Sequence, residues 1–499
     1  MSTRSAPISK GSDWDFELLG RYDQAIAAAA ADYGLDTYPN QIEVITSEQM
    51  LDAYASVGLP VGYPHWSYGK EFIRNEQAYK KGMQSLAYEI VINSNPCISY
   101  LMEENTIAMQ ALVIAHACYG HNSFFKGNHL FRQWTAADAI LDYLIFARRY
   151  VMECEERYGA AAVEEILDSC HALASHGIDR YKRPAPLSLW KETARLAERE
   201  EHLRRQYNDL WRTVPGKAAA DNAADRDCFP AEPQENILYF VEKHSPRLEP
   251  WQRELVRIVR KLAQYFYPQG QTKVMNEGWA TFWHYTLINR LHEQGLVDDG
   301  FMLEFLKSHT NVIYQQPYDS PHYAGINPYA LGFAMLQDMR RICETPTRED
   351  RSWFPELAGA DWHVALDFAM RNFRDESFIS QYLSPRLIRE FRLFALADNE
   401  DDDEYEVDEI HDDAGYRRVR KLLADQHTRD ARVPDVQVVR YARDGDRSLT
   451  LSYQLQRGRP LARQAEEVLK HLHRLWGFAV RLESKDEAGK ARELLECAA

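Results

Sequence analysis

Between Ala111 and Asn128 the chain reads ALVIAHACYGHNSFFKGN, an apolar helical stretch that has to be buried and yet carries His116 and His121. Five residues at about 100° each put the two imidazoles roughly 140° apart on an ideal α-helix, on different faces. They meet only if the helix ends or bulges near Tyr119-Gly120. Glycine permits such an end, and local bulges often mark functional sites. A histidine closing an apolar run is ordinarily a satisfied core residue. Here a second follows five positions on, with His129 after it, which argues for shared chemistry.

A second motif, KVMNEGWATFWHYTLINRL (273–291), places Glu277 and His284 seven residues apart. They share one helix face about two turns (~10.5 Å) apart. Their neighbours are Met275, Trp279, Phe282, Trp283 and Leu287, and a carboxylate in such company is costly unless paired or bound to a metal. The plain alternative is a buried Glu–His or Glu–Arg pair. A third motif, YQQPYDSPHYAGINPYALGFAML (314–336), sets His322, Tyr323 and Tyr329 in a loop running into a helix. Tyr and His suit donation to a developing oxyanion, although packing of an aromatic loop explains the same residues. Together, two imidazoles and a carboxylate leave a fourth zinc position for water, whose pKa the metal lowers. The expected ligands are His116, His121, Glu277 and His284, with zinc as the expected ion.

The remaining pattern is mostly helical. Helices are expected at 13–36 (closed by Gly34), 99–120, 133–158, 160–176, 190–212, 250–266, 274–292, 298–309, 329–343 and 364–372. A turn is expected at Tyr267-Pro268-Gln269-Gly270. Tyr88, Ile90, Val91 and Ile92 have strand propensity, and Asn95-Pro96 stops their run. The stretch 58–72, within a Pro-, Gly- and aromatic-rich region, reads as an ordered loop, and 214–234 as a surface excursion. DNEDDDEYEVDEIHDD (398–413) is a solvated acidic run. Beyond it VQVVRYA and SLTLSYQL flank an Asp444-Gly445 turn as a β-hairpin, followed by an amphipathic helix and a last strand, AVRLES. The expected fold is mainly α with a short β-sheet near the site, a zincin-like core, plus a small C-terminal α+β domain. The expected division is a core domain over 1–397, an acidic linker over 398–414 and the small domain over 415–499.

A net charge of -16 repels phosphate backbones and argues against nucleic-acid binding. Seven scattered cysteines without a C-x-x-C pair suit a reducing cytosol, not a disulfide framework or a thiolate zinc ribbon. MSTRSAPISKGSDWDFELLG has no apolar signal-peptide core. No apolar run approaches the ~20 residues of a membrane helix, so no membrane span is expected and the expected location is the cytoplasm. Phosphate-binding glycine loops are missing, and the Glu-x-x-His pairs of a dinuclear carboxylate bundle are not present. Apolar surroundings would raise the Cys118 thiol rather than activate it.

The set PNQIEVITSEQM, GLPVGYPHWSYGKEF, YEIVINSNPCISYLMEENT, AHACYGHNSFFKGN and MNEGWATFWH resembles the stage V sporulation protein R (SpoVR) family, and within it the YcgB-like members of Gram-negative bacteria. The resemblance spans roughly residues 10–490. It implies a cytoplasmic bacterial protein linked to spore cortex (peptidoglycan) formation, or to stress and stationary phase. It also implies a PrkA-type serine kinase and a von Willebrand-like protein as partners. The core motifs are similar, beneath that, to gluzincin-type metallopeptidases. That likeness matches His116 and His121 to their two histidines, Glu277 to the third ligand, and Tyr323 or Tyr329 to the oxyanion donor. Two departures stand out. Ala117 occupies the place of their glutamate base, and the histidine spacing is one residue longer. The base would then have to come from Glu103, Glu104 or His284, with Glu104 the first choice. Two functions follow as expectations: a zinc-dependent, peptidase-like hydrolase of a peptide or peptidoglycan-related substrate, or a non-catalytic regulatory or scaffold protein working with the kinase.

Overall fold

The computed structural model describes residues 6–55, 62–66, 89–181, 229–230, 232–317, 323–393, 396–397, 406–407, 412–428, 433–443, 445–455, 464–486 and 491–497, with single positions 194, 198, 201 and 320. Most of the 58–72 loop, the 190–212 helix and the acidic 398–413 run, and His322, therefore lie outside the described residues. The chain packs as two units, Met1–Ala161 with Gln264–Val433 and Ala162–Ala263 with Pro434–Ala499.

In the first unit a three-stranded sheet borders the helical core. Strands β1 (Asn40–Ile45), β2 (Glu89–Ile92) and β3 (Cys97–Met102) lie in the order β1-β3-β2. β3 runs parallel to β1, with Asn40 opposite Cys97, and antiparallel to β2, with Glu89 opposite Leu101. Helix was expected from 99 onward, but CISYLM is the central strand and is buried almost throughout. A short continuous apolar run is not separable from a buried helix by periodicity; here the two flanking strands decide. QIEVI, in the Pro-, Gly- and aromatic-rich region ahead of the expected loop, forms the edge strand β1.

Helix begins only at Ile107, where the Thr106 hydroxyl accepts the Met109 N–H at 3.3 Å. The α-helix Ile107–Val113 passes into a π-helix over Ile114–His121 and returns to α at Asn122–Gly127. This stretch packs against the Lys273–Glu293 helix, which packs in turn against Pro328–Glu344. Lys273–Glu293 is buried on nearly every side, through Val274, Trp279, Phe282, Trp283, Leu287 and Leu291. Two glycine contacts permit this density. A Cβ on Gly120 would meet Ala280 Cα at 2.5 Å, and one on Gly278 would run into the Gly332 backbone. Thr272 supplies no side-chain cap to the helix. Instead the buried Asp375 carboxylate accepts the Val274 and Met275 N–H groups, each at 2.9 Å. That is charge-assisted bonding to two of the orphan donors of a helix start.

The turn expected at 267–270 is helical: Pro250–Gln271 runs through Pro268, and the break falls at Thr272. Pro268 lies in the last turn and has no N–H to donate, and its carbonyl accepts the Thr272 hydroxyl at 2.8 Å. The Asp413–Gln426 helix packs on Asp375–Tyr382 in the first unit, so packing divides the chain near 433 rather than at 415.

The second unit holds a four-stranded sheet in the order Val436–Tyr441, Leu449–Gln454, Val480–Lys485, Ala491–Cys497. The first pair is the expected antiparallel hairpin. The second pair is parallel, joined through the Ala465–Trp476 helix, which Gly477 ends at φ +85°. Ala491–Cys497 is one strand more than expected. Trp476 is fully buried against Phe240 and Tyr441, with its indole N–H on the Arg447 carbonyl at 2.8 Å. Among the described residues no helix is long and apolar enough to cross a membrane.

Candidate metal centre

Of the two ways the histidines could meet, an end or a bulge of the helix, the structure has the bulge, a π-helix over Ile114–His121. Its i→i+5 hydrogen bonds widen the turn and bring residues five apart back toward one face. The Asn122 N–H reaches the Ala117 carbonyl in that register, and the His116 and His121 rings come to 4.6 Å between centroids. Gly120 contributes through close approach to Ala280 rather than by ending the helix. The wide turn is tied down from outside. The Trp279 indole donates to the Ser123 hydroxyl at 2.9 Å, Ser123 donates to the Gly120 carbonyl at 2.9 Å, and the Tyr119 hydroxyl donates to Asp23 at 2.8 Å.

Four side chains from three elements converge. His116 Nε2 lies 3.1 Å from Glu89 Oε1 and 3.9 Å from Glu277 Oε2. His121 Nε2 lies 3.9 Å from Glu89 Oε1 and 3.4 Å from Glu277 Oε2. Donor atoms bonded to one tetrahedral ion at about 2.0–2.2 Å stand roughly 3.3–3.6 Å apart, and the four separations bracket that range. His116 Nε2 and Glu277 Oε2 are buried without a hydrogen-bond partner, an expensive arrangement unless a cation lies between them. Two imidazole nitrogens and two carboxylate oxygens, with no sulfur, suit zinc or a similar divalent ion. The residues therefore fit a metal. His116 and His121 are buried, whereas the Glu89 and Glu277 side chains are 15% and 17% exposed, so the cluster opens to solvent past its acids.

The electrostatics agree with ligation by neutral imidazole. Burial, then the neighbouring imidazoles His121, His284 and His309, hold His116 well below the usual histidine range. Burial, then the Glu277 carboxylate, push Glu89 well above the usual carboxylate range. His121 Nδ1–H donates to Asn276 Oδ1 at 3.0 Å, which leaves its Nε2 lone pair toward the acids.

Of the residues singled out from sequence, His116, His121 and Glu277 are brought together. His284 stands behind His116: its Nδ1 is 2.9 Å from His116 Nδ1, and its Nε2 is 2.8 Å from His309 Nδ1. Tyr329 stacks on His116, centroids 6.1 Å apart and planes 19° from parallel. Tyr323 is exposed in the turn before that helix. Glu104 is exposed and accepts the Ser47 N–H at 3.3 Å, at the start of the Ser47–Ala55 helix. Sequence reasoning passed over Glu89, which opens the strand expected from Tyr88, Ile90, Val91 and Ile92, and His309, on the Asp299–Val312 helix. The signal available for Glu89 was its place as an acid heading an otherwise apolar strand, EIVI.

A family model described as SpoVR like protein matches residues 13–432, and one described as SpoVR-like C-terminal domain matches 434–487. Their boundary coincides with that between the packing units at Val433. The uncharacterized protein YcgB of Escherichia coli (strain K12) is 59% identical over 497 residues, covering 100% of this chain and 98% of that one. No solved structure matches the chain.

Proposed function

The chain belongs to the SpoVR family, whose model spans the whole His/Glu cluster, and we propose that it is a zinc-dependent hydrolase of amide bonds in a peptide or peptidoglycan-related substrate, working in the cytoplasm. The observation that carries this reading is the convergence of His116 Nε2, His121 Nε2, Glu89 Oε1 and Glu277 Oε2, two of these atoms being buried without a hydrogen-bond partner.

His116, His121 and Glu277 would hold the ion and leave a further position to water; Glu89, whose ligand atom lies with those of the two histidines within 4.8 Å of one another, would stand beside that water. Bound there, zinc supplies Lewis acidity toward a carbonyl oxygen and toward water. Glu89 is the general base. The glutamate expected after His116 is replaced by the buried Ala117, and a carboxylate from β2 stands in its stead. Its raised proton affinity suits it to take a proton from water and return it to the leaving nitrogen. Tyr329, packed ring to ring on His116, donates to the developing oxyanion. Glu104 takes no part, since its carboxylate is committed at the Ser47 N–H.

Metal analysis of the purified full chain tests the reading. One zinc per chain after dialysis against zinc, lost in His116→Ala and His121→Ala, with release of new amino groups from peptide or muropeptide substrates, is the expected result. A wild-type protein that retains no transition metal ends it.

A further inference from the structure

His116, His284 and His309 form a row of imidazoles running away from the cluster, each joined to the next through ring nitrogens at 2.9 and 2.8 Å. All three are buried, at 3%, 0% and 4% exposure. Aromatic rings enclose the far end. Tyr285, Phe333 and Phe305 lie 4.9, 5.0 and 5.9 Å from His309 between centroids.

A neutral imidazole has one N–H and one lone pair, so each link fixes the next and the row has two self-consistent directions. In one, His116 Nδ1–H donates to His284 Nδ1, His284 Nε2–H donates to His309 Nδ1, and His309 carries its proton on Nε2. In the other every bond reverses. His309 Nδ1–H donates to His284 Nε2, His284 Nδ1–H donates to His116 Nδ1, and the His116 proton sits on Nε2. The first leaves the His116 Nε2 lone pair facing the cluster, and the second puts a hydrogen there. Glu89 Oε1 is 3.1 Å from that nitrogen, but Nε2 makes no hydrogen bond, so the carboxylate does not hold the second direction in place.

We infer that His284 and His309 are positioning residues that set which nitrogen of His116 is free, and that metal binding at the cluster fixes the whole row in the first direction, with the His309 proton on Nε2, where the metal-free row takes either direction. This rests on the metal reading above. For a row standing in the second direction the balance closes: the His116 Nε2 proton is released to solvent past the acids, the Nδ1 protons of His284 and His309 pass to His116 Nδ1 and His284 Nε2, and one solvent proton enters at His309 Nε2, so no imidazole changes charge. Occupancy of the cluster is thereby registered three rings away, on a different helix.

The test uses the full chain labelled with ¹⁵N-histidine, compared after EDTA treatment and after zinc loading, with bound zinc measured on the same samples. The expected result is that the long-range ¹H–¹⁵N pattern of His309 shows both protonated forms after EDTA treatment and the Nε2–H form alone after zinc loading. Zinc bound at one per chain with an unchanged His309 pattern overturns the inference and leaves the metal reading standing, whereas no bound zinc removes both. As a second measurement, His284→Phe, which takes away the acceptor of His116 Nδ1–H, weakens zinc binding about 10–100-fold by chelator competition. An affinity equal to wild type in a folded His284→Phe protein also overturns the inference.

Discussion

A Cβ placed on Gly120 would stand 2.5 Å from Cα of Ala280 and 2.9 Å from its Cβ. The turn that carries His116 and His121 thus touches the helix that carries Glu277 backbone to backbone. The four-atom convergence depends on that distance more than on any one ligand.

Gly120→Ala is therefore expected to destabilise. Alanine is the better helix former by about 1 kcal/mol, so propensity alone would stabilise the protein. Overpacking against a neighbouring backbone costs about 1–3 kcal/mol and wins, because the obstructing atom is a Cα that no rotamer change can move. A urea melt gives the sign, and zinc stoichiometry falls in parallel as the two segments separate. A variant of raised stability with full metal content would contradict the contact.

Asp375→Ala tests how Glu277 is placed. The carboxylate caps the Val274 and Met275 N–H groups from another helix, just ahead of Asn276 and Glu277. Removing it strands buried donors at about 1–3 kcal/mol. The expected outcome is a lower urea midpoint together with weaker zinc binding, because the helix start that carries Asn276 and Glu277 frays. Asp375→Asn keeps one acceptor and falls between the variant and wild type.

What was legible in the chain and what was not divides along physical lines. For His116 and His121 to meet, their spacing required the helix to end or bulge, and a π-helix spans Ile114–His121; helix periodicity is a local property. The hairpin around 436–454 followed from alternation and a turn, which are local as well. Cys97–Met102 did not, since its strand character comes from β1 and β2 on either side. Glu89 escaped for the same reason. Nothing in its neighbours along the chain reveals that β2 lies beside the π-helix. His284 shares a helix face with Glu277, yet it points its nitrogens at His116 and His309, a choice made by the packing of Asp299–Val312.

The histidine row predicts an acid-sensitive fold. Burial holds His309 at about 4, against roughly 6.5 in an unfolded chain. Above that value the ring is neutral in both states and contributes nothing to the slope. Between roughly 6.5 and 4 the unfolded chain binds the proton and the folded chain does not, so stability falls as pH drops, by up to about 1.4 kcal/mol per unit. His116 and His284 are shifted the same way by burial and add to the slope. Denaturation of EDTA-treated protein across that window is expected to show the decline, and His309→Phe, which fits the ring cluster of Tyr285, Phe305 and Phe333, is expected to lessen it.

The two acids can be separated by amide substitution, because holding an ion and accepting a proton ask different things of a carboxylate. Glu277 Oε2 lies 3.4 Å from His121 Nε2 and has no hydrogen-bond partner. Glu277→Gln replaces a charged donor atom by a neutral one, and zinc affinity is expected to drop steeply. Glu89 lies closest to His116 and carries the raised proton affinity. Glu89→Gln keeps the shape and removes the base, so zinc content is expected to stay near wild type while hydrolysis falls by about 10²–10⁴. Calorimetric zinc titration and amide turnover measured on the same preparations distinguish the roles. If Glu89→Gln loses the metal and Glu277→Gln keeps it, the assignments exchange: β2 supplies the ligand, and the Lys273–Glu293 helix supplies the base.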